Sequence, residues 1–343
     1  MEATRSARPL VSVVAPCYNE HEVLREFHAR VSAACRPLTG SYEIVLVDDG
    51  SKDGTWAIIE TLAESDPHVV GVQLLRNHGH QLAATAGLHI ASGQRVMLID
   101  ADLQDPPELL GDMMRLMDEG ADVVYGQRAA RAGETWFKRA TAAGFYRLLT
   151  RLTDVSIPRD TGDFRLMSRR VVDTFLLMPE RQRFIRGMVS WIGGRQVALP
   201  YERHARYAGT SKYPLSKMIR FATDAITSFS TVPLRLAVWV GLATASFSML
   251  LLLYALYQWT QNVVVAGWAS IICAVAFFGG LQMLILGVFG EYLGRLVHEA
   301  KGRPLFMVKA IRAGRRRHEV PSHFSRMEPA MRDDVVSTWS GGG

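Results

Sequence analysis

A long apolar stretch in the C-terminal third limits what this chain can fold into. Residues 236–290 contain no aspartate, glutamate, lysine, arginine or histidine, whereas residues 1–230 have the mixed side chains of an ordinary globular protein. Two runs within this stretch, residues 236–257 and 263–290, are each long enough to cross a bilayer, which takes about 20 apolar residues. We therefore predict a transmembrane helical hairpin. A buried hairpin in a soluble core is the alternative, and two adjacent runs of this length disfavour it.

The charges that flank the two runs indicate their orientation. Arg235 precedes the first run, and Arg295, Lys301 and Arg303 follow the second, whereas the connecting turn carries no charge. Cytoplasmic segments beside membrane helices carry the excess of lysine and arginine. We therefore expect a multi-pass protein of the inner (plasma) membrane, with both termini and the N-terminal domain in the cytoplasm. No signal peptide is expected, because the apolar run 10–15 is short and stops at a proline.

The N-terminal part alternates between short β-rich runs and helical patterns. We predict strands at residues 10–15, 42–47, 69–75, 95–99 and 122–125 with helices between them, and further strands at 160–168 and 195–204. This alternation favours an α/β fold with a doubly wound, mostly parallel sheet. A basic amphipathic helix at residues 136–152 fits either a membrane interface or packing against the sheet. A second amphipathic helix is predicted at residues 213–231.

Polar side chains follow the predicted strands at the point where each strand ends. They are Glu20, Asp49, Asn77, Asp100 and Asp102. Parallel strands bring their carboxyl ends to one edge of the sheet, where open α/β sheets bind their ligands. We therefore expect these residues to line a single crevice.

The two acids at the end of the fourth predicted strand indicate a metal ion. Asp100 and Asp102 are one residue apart, and carboxylates this close repel each other unless a cation lies between them. Oxygen ligands of this kind suit Mg²⁺ or Mn²⁺, which often bind substrate phosphates as well. A pair of solvated loop acids is the alternative. Asp105 and Glu108 have the spacing of a capping box, so we expect them to cap the following helix.

Several common sites are excluded by their sequence patterns. There is no GxGxxG and no GxxxxGK[ST], so phosphates must be neutralised by a metal and by lysine or arginine. No HExxH or CxxC spacing indicates zinc, and three cysteines favour a reducing compartment. His78 and His80 lie at a predicted helix start, where capping and packing are favoured over lining the crevice.

The net charge of +6 and the pI of about 9.3 favour partners rich in phosphate. Nucleic acid, anionic lipid and a phosphorylated substrate all fit this charge. The arginines at positions 312 and 315–317 could serve any of these, and a solvated basic tail is the favoured interpretation.

An ordered set of motifs covers residues 10–310. The set consists of Pro16-Cys17-Tyr18-Asn19-Glu20, Asp48-Asp49-Gly50-Ser51, Arg76-Asn77-His78-Gly79-His80, the segment 100–108, Gly126-Gln127-Arg128, the segment 206–212, and Gly290-Glu291-Tyr292-Leu293-Gly294-Arg295. In this set the chain resembles the polyprenyl-phosphate sugar transferases of glycosyltransferase family 2, which include the bactoprenol glucosyltransferase and dolichyl-phosphate mannose synthase branches. The resemblance implies a GT-A fold, a nucleotide-sugar donor, a polyprenyl phosphate acceptor and no nucleic acid.

The resemblance also implies roles for the matched positions. The nucleotide sugar would be bound by Pro16, Tyr18, Glu20, Val47, Asp49, Asp100 and Ala101. The metal, Mg²⁺ or Mn²⁺, would be bound by Asp102 and Gln104 with Asp100. The acceptor phosphate would be bound by Arg128, Arg139, Arg206 and Lys212. The catalytic set would be Asp102, Asp163, Arg128, Arg206 and Lys212, with the loop 206–213 closing over the donor. Asp163 would orient sugar hydroxyls or the acceptor, because a phosphate acceptor needs no strong base.

The implied activity is inverting transfer of a sugar, with glucose from UDP-glucose favoured, to undecaprenyl phosphate at the cytoplasmic face, for modification of cell-envelope glycans. GDP-mannose, a UDP-N-acetylhexosamine or a UDP-aminoarabinose derivative is the alternative donor. A processive polysaccharide synthase is disfavoured, because residues 181–187 lack a Gln-x-x-Arg-Trp signature. A non-catalytic membrane scaffold is disfavoured by the intact acidic motif.

We expect four segments and an oligomer. The segments are a catalytic domain (1–212), a juxtamembrane helix (213–233), two transmembrane helices (234–293) and a basic cytoplasmic tail (294–343). The second span is rich in glycine, at positions 279, 280, 287, 290 and 294, which permits close contact between helices. With the resemblance to oligomeric relatives, this predicts a homo-oligomer, for which we expect a tetramer.

Overall fold

The computed structural model describes residues 9–128, 161–202, 232–261 and 267–313. These residues belong to two compact units. The first contains residues 9–128, 161–202 and 304–313, and the second contains residues 232–261 and 267–303.

The first unit is built from strands and helices that alternate along the chain. In chain order they are β1 (Val11–Cys17), α1 (Leu24–Cys35), β2 (Tyr42–Asp48), α2 (Thr55–Ser65), β3 (Val69–Leu74), α3 (His80–Ile90), β4 (Arg95–Leu98), a 3₁₀ turn (Pro107–Leu109), α4 (Leu110–Asp118), β5 (Val123–Arg128), β6 (Thr161–Ser168), α5 (Arg169–Leu177), α6 (Ile185–Ile192) and β7 (Gln196–Tyr201). The predicted α/β class is confirmed.

The strands form one mixed sheet in the order β7-β5-β6-β4-β1-β2-β3-β8, where β8 is Val308–Ala313. Strands β1 to β4 pair in parallel, as predicted. The sequence did not predict that β6 lies between β4 and β5 and is antiparallel to both. This insertion brings residues 161–165 beside the carboxyl end of β4 and therefore beside the predicted crevice.

The central strands are buried on both faces, so their sequences are nearly continuous apolar runs. Helix α3 lies directly on β1 and β2, and Gly87 makes this close approach possible. A Cβ atom at position 87 would lie 2.4 Å from Cγ1 of Val14 and 3.0 Å from Cγ2 of Val47. Helix α3, whose first residue lies at the crevice, is therefore packed closely against the sheet at Gly87.

The capping interpretation of Asp105 and Glu108 is wrong. The 3₁₀ turn that begins at Pro107 has no side-chain cap. Asp105 is instead fully buried and accepts a hydrogen bond from the hydroxyl of Tyr201. Glu108 makes two hydrogen bonds with the guanidinium of Arg30 in α1, at 2.8 and 2.9 Å. Two tertiary contacts have replaced the expected local ones.

The predicted C-terminal tail contains a strand. Val308–Ala313 forms β8, which pairs antiparallel with β3 at one edge of the sheet. Phe306, just before it, is fully buried and its ring lies 5.6 Å from that of His89. The expected tail, residues 294–343, therefore includes a strand that belongs to the sheet of the first unit.

The second unit contains the helices α7 (Val232–Thr260) and α8 (Trp268–Ala300). Both are long and apolar enough to cross a membrane, in the windows Val232–Leu251 and Phe277–Ala300, and little of either window is buried inside the protein. Helix α7 contains the first predicted run, 236–257, and α8 contains residues 268–290 of the second run and continues to Ala300.

Candidate active site

Three loops at the carboxyl ends of β1, β2 and β3 hold one another in place. The backbone N–H of Asn19 donates to Oγ of Ser51 at 3.0 Å, and Oδ1 of Asn19 accepts from the N–H of Lys52 at 2.9 Å. The N–H of Glu20 donates to Oγ1 of Thr55 at 2.9 Å. Asn19 has a φ of 56°, a left-handed conformation that asparagine tolerates better than most residues. These contacts hold Glu20, which lines a crevice at this edge of the sheet.

Asp49 attaches the third loop to the second. Its carboxylate accepts hydrogen bonds from the backbone N–H groups of His78 at 2.7 Å and Gly79 at 2.9 Å. Burial raises the pKa of Asp49, although these hydrogen bonds oppose the shift. Gly50 has a φ of 67°, and a Cβ there would lie 2.6 Å from the carbonyl carbon of Arg76. Only glycine fits this close approach.

The predicted crevice is present at this edge of the sheet, with a volume of about 260 Å³. The residues that line it are Pro16, Cys17, Tyr18, Glu20, Asp49, Asn77, Gly79, His80, Ala83, Asp100, Ala101 and Asp102. All five polar residues expected at strand ends are among them. Val47 is not, because its side chain is fully buried in β2 beneath α3.

The turn after β4 has an unusual backbone. Leu103 has a φ of 60° and is almost fully buried, and a bulky residue in this conformation is strained. The N–H of Gln104 donates to Oδ1 of Asp102 at 3.1 Å. Gln104 is only 7% exposed and does not line the crevice. Of the three predicted metal ligands, the structure therefore brings Asp100 and Asp102 to the crevice.

Tyr201, the last residue of the edge strand β7, connects this strand to the turn after β4. Its hydroxyl donates to Asp105, and Nε of Arg128 lies 3.5 Å from the same hydroxyl oxygen. Burial and the adjacent Asp105 carboxylate raise the pKa of Tyr201. Gly162 leaves room for Arg128, because a Cβ at position 162 would lie 2.7 Å from its Nη2 atom. Arg128 thus packs behind the turn and is not among the lining residues.

Asp163 lies at the centre of a buried charged cluster. Its Oδ2 accepts from Nε2 of Gln81 at 2.7 Å, and its Oδ1 accepts from Nε of Arg186 at 3.0 Å. His80 and Arg165 complete the set, with ion-pair distances of 3.2 and 4.0 Å. Burial alone would raise the pKa of Asp163, but these partners hold it well below its usual range. Asp163 is therefore an ionised carboxylate with both oxygens engaged.

His80 contacts two carboxylates from the first position of α3. Its Nε2 atom lies 3.3 Å from Oδ1 of Asp100 and 3.2 Å from Oδ2 of Asp163. Burial alone would lower the pKa of His80, but Asp163 and Asp100 raise it to about 9. The imidazole is therefore a cation at neutral pH. Capping and packing, the favoured interpretation from sequence, is wrong for this residue, because its side chain lines the crevice.

The residues around Asp100 fit a divalent cation. Burial raises the pKa of Asp100 to about 6, with His80 opposing the shift and the nearby acids adding to it. Oδ1 of Asp100 is buried and accepts no hydrogen bond from any described residue. No described group of three or more histidine, cysteine or acidic side chains surrounds a metal position. Two carboxylates suffice for Mg²⁺ or Mn²⁺, which complete their coordination with water and substrate phosphates.

Some predicted residues lie outside the described part of the chain, and some site residues were not predicted. Arg139, Arg206 and Lys212 belong to the first group, as do both amphipathic helices. Gln81, Arg186 and Tyr201 belong to the second. Gln81 directly follows the Arg76–His80 motif, so its position was a signal. Arg186 in α6 and Tyr201 in β7 carry no local signal, because only tertiary packing brings them to Asp163 and Asp105.

A family model described as glycosyl transferase family 2 matches residues 12–176. An uncharacterized glycosyltransferase, YkcC, from Bacillus subtilis is 46% identical over 87% of this chain and 93% of its own. This chain belongs to glycosyl transferase family 2. The transferase is also 41% identical to the SfII prophage-derived bactoprenol glucosyl transferase of Shigella flexneri, over 89% of this chain and 99% of that protein.

The mixed α/β sheet agrees with the GT-A fold expected for the transferase. Among solved structures, the mannosyltransferase PcManGT from Pyrobaculum calidifontis, in complex with GDP-Man and Mn²⁺, is 18% identical with a TM-score of 0.44. The match covers 86% of the transferase and 87% of that chain.

Proposed function

We propose that the transferase moves glucose from UDP-glucose to a polyprenyl phosphate, undecaprenyl phosphate, at the cytoplasmic face of the membrane. The observation that carries the proposal is the 41% identity with a bactoprenol glucosyl transferase, which extends over 99% of that protein. The acidic crevice and the two long apolar helices agree with it. The acids of the crevice can hold a divalent cation for the diphosphate of a nucleotide donor. The apolar helices can place the protein in the membrane that contains the lipid acceptor.

The reaction follows from the chemistry of the acceptor. An oxygen of the acceptor phosphate forms a bond to the anomeric carbon of the sugar. The bond from that carbon to the β-phosphate oxygen breaks, and its electron pair leaves with UDP. In-line attack inverts the anomeric centre, so an α-linked donor gives a β-linked lipid. The acceptor oxygen is already anionic, so no side chain has to remove a proton.

The lining residues divide into two groups in this proposal. Pro16, Tyr18, Glu20 and Asp49 hold the base and ribose, between loops that fix one another. Asp100 and Asp102 hold the divalent cation at the end of β4. When bound, the cation offsets the charge that develops on the leaving diphosphate.

The side-chain cations that bind the phosphates of donor and acceptor are residues that do not line the crevice. Arg139, Arg206 and Lys212 stay predictions for this role, as does Arg128, with the loop 206–213 closing over the donor. Arginine binds phosphate with two parallel hydrogen bonds, which lysine cannot do. Arg206→Lys should therefore reduce kcat although it conserves the charge. The variant is assayed with a short-chain polyprenyl phosphate in detergent, and turnover equal to wild type would exclude phosphate binding by Arg206.

The membrane arrangement is part of the same proposal. Helices α7 and α8 cross the membrane as a hairpin, and their basic flanks lie on the cytoplasmic side with the catalytic domain. We also propose a homo-oligomer, with a tetramer expected, assembled through α8. Gly280, Gly287 and Gly294 recur every seven residues, and an added Cβ at each would meet no described atom within 4 Å. Gly287→Leu should lower the mass of the particle in detergent, because the larger side chain separates the packed helices. A wild-type protein that is monomeric in detergent would contradict the proposed oligomer.

The test is a donor panel with the purified full-length protein and undecaprenyl phosphate. Radiolabelled UDP-glucose, GDP-mannose, UDP-N-acetylglucosamine and a UDP-aminoarabinose derivative are compared. We expect label from UDP-glucose to enter a lipid that mild acid cleaves. The same lipid from another donor would correct the sugar, a polymer would indicate a processive synthase, and no product from any donor would reject the enzymatic proposal.

A further inference from the structure

One imidazole connects a substrate-facing carboxylate to a buried one. Nε2 of His80 lies within 3.3 Å of Asp100 and 3.2 Å of Asp163. Asp100 lines the crevice, whereas Asp163 is 4% exposed and lies behind it. The proposed reaction does not use this arrangement, which places an imidazole between the two carboxylates.

The buried end of this connection is fixed by three elements of the fold. Gln81 donates from α3 to Asp163 at 2.7 Å, and its Oε1 accepts from the N–H of Ile185, the first residue of α6, at 3.0 Å. Arg186 donates from α6 to Asp163 at 3.0 Å and to the carbonyl oxygen of Thr161 at 2.9 Å. Asp163 therefore joins β6 to the first turns of both helices.

This geometry makes Asp163 unsuitable as a proton acceptor. Both of its oxygens accept hydrogen bonds from buried or half-buried donors, and almost none of its surface is accessible to an acceptor lipid. A general base must come within hydrogen-bond reach of the proton that it removes. A carboxylate held in this way can instead fix the position of a neighbouring side chain, and the imidazole of His80 lies 3.2 Å from it.

Asp100, the carboxylate that lines the crevice, depends on the position of His80. Oδ1 of Asp100 is buried and accepts no hydrogen bond from any described residue, and Nε2 of His80 lies 3.3 Å from it. The same Nε2 atom lies 3.2 Å from Oδ2 of Asp163, so one ring stands between the two carboxylates. Without the imidazole the two carboxylates would face each other, and the Asp100 side chain could turn away from its position in the crevice.

We propose that His80 is a positioning residue for glycosyl transfer, and that Asp163 anchors it so that Asp100 keeps the orientation needed by the donor and its cation. This inference rests on the proposed function, because it concerns how Asp100 is held for that reaction. It assigns Asp163 an anchoring role in place of contact with the transferred sugar. Groups that orient a metal-binding side chain typically change metal affinity or activity by about 10- to 100-fold when removed.

The experiment compares His80→Ala, Asp163→Asn and the double variant in the full-length protein. Mn²⁺ affinity is measured from the spin resonance signal of free Mn²⁺, and UDP affinity by calorimetry with and without Mn²⁺. We expect each single variant to weaken Mn²⁺ binding about 10- to 100-fold. The double variant should be no weaker than the weaker single variant, because both changes break the same connection.

Two further variants separate positioning from general damage. His80→Gln keeps a side-chain N–H and should recover part of the Mn²⁺ affinity that His80→Ala loses. His68→Ala is the matched control, because His68 directly precedes β3 at the strand end opposite the crevice, stacks on Tyr42 and does not line the crevice. It should bind Mn²⁺ and UDP as wild type does. If Asp163→Asn does not fold, Arg186→Lys replaces it, with the same expected loss.

Three outcomes would overturn the inference. The first is wild-type Mn²⁺ affinity and turnover in His80→Ala. The second is an additive loss in the double variant, which would make the two residues independent. The third is an Asp163→Asn variant that loses turnover but keeps its Mn²⁺ and UDP affinities, which would make Asp163 a base. A wild-type protein that transfers no sugar would instead reject the proposed function, so the two failures are distinguishable.

Discussion

The hydroxyl of Tyr201, the last residue of β7, donates a hydrogen bond to the fully buried carboxylate of Asp105. Asp105 follows the turn that carries Asp102 and Gln104, and in this turn Leu103 is held at a φ of 60°. A strained backbone persists only where its surroundings hold it. We infer that Tyr201 is one of the contacts that hold the metal-binding turn in shape.

Tyr201→Phe should therefore lower both stability and activity. A buried hydrogen-bonding group that loses its partner typically costs about 1–3 kcal/mol. The midpoint of thermal unfolding should fall, and the Mn²⁺ concentration for half-maximal activity should rise. Tyr125→Phe in β5 removes a hydroxyl that bonds to no described residue and serves as the control. If Tyr201→Phe and Tyr125→Phe changed the unfolding midpoint and the Mn²⁺ requirement equally, the hydroxyl of Tyr201 would not be what holds the turn.

Asp102→Asn should abolish turnover and leave the protein folded. Asp102 lines the crevice and is only partly buried, so the change removes a charge without disturbing the core. A bound metal contributes several kcal/mol to stabilising the transition state, so kcat should fall at least about 100-fold. Excess chelator should inactivate the wild type in the same way. Asp112→Asn, an exposed change in α4, should be silent. Full activity of the wild type in chelator would exclude the metal.

Gly87→Ala should destabilise the catalytic domain, although alanine is the better helix former by about 1 kcal/mol. The new methyl group would lie 2.4 Å from Cγ1 of Val14, and overpacking of this kind typically costs about 1–3 kcal/mol. Gly40→Ala is the matched control, because no described atom lies within 4 Å of an added Cβ there. Chemical unfolding should separate the two variants, and a Gly87→Ala variant more stable than wild type would show that α3 is not tightly packed on β1.

Asp66 should make stability depend on pH in the acid range. Burial alone would raise its pKa, but hydrogen bonds from the N–H of His68 and from His28 hold the pKa below its usual value. A lowered folded-state pKa contributes stability that is present above the unfolded value of about 4 and is lost as the pH falls through the folded value. The difference in unfolding midpoint between wild type and Asp66→Asn should shrink as the pH falls below about 5. A difference that grows on acidification would contradict the assignment.

Much of the fold follows from local pattern. The strands β1 to β4 are short apolar runs bounded by helices, and parallel pairing places Glu20, Asp49, Asn77, Asp100 and Asp102 at one edge. That reasoning needs only the direction of the strands. It was sufficient to locate the crevice and most of its lining residues.

The errors arise where tertiary contacts override local pattern. Asp105 and Glu108 have the spacing of a capping box, yet Tyr201 and Arg30 bind them instead. The strand Val308–Ala313 carries Lys309 and Arg312, so it is difficult to distinguish from a basic tail. The pairing of β6 between β4 and β5 depends on contacts that alternation alone does not specify, and the helices α5 and α6 were not predicted.

The role of His80 was missed for a related reason. A histidine at a helix start has several common uses, and its partners come from β4 and β6, which are distant in sequence. Only the antiparallel insertion of β6 brings Asp163 to the imidazole.

The most direct test of the central claim is the transfer of labelled glucose from UDP-glucose to undecaprenyl phosphate by the purified protein. The lipid product is isolated, and the configuration at its anomeric carbon is determined by nuclear magnetic resonance. We predict a β-linked, mild-acid-labile glucosyl lipid that wild type forms in the presence of Mn²⁺ or Mg²⁺ and that Asp102→Asn does not form. An α-linked product, or equal product from Asp102→Asn, would contradict the mechanism derived from this crevice.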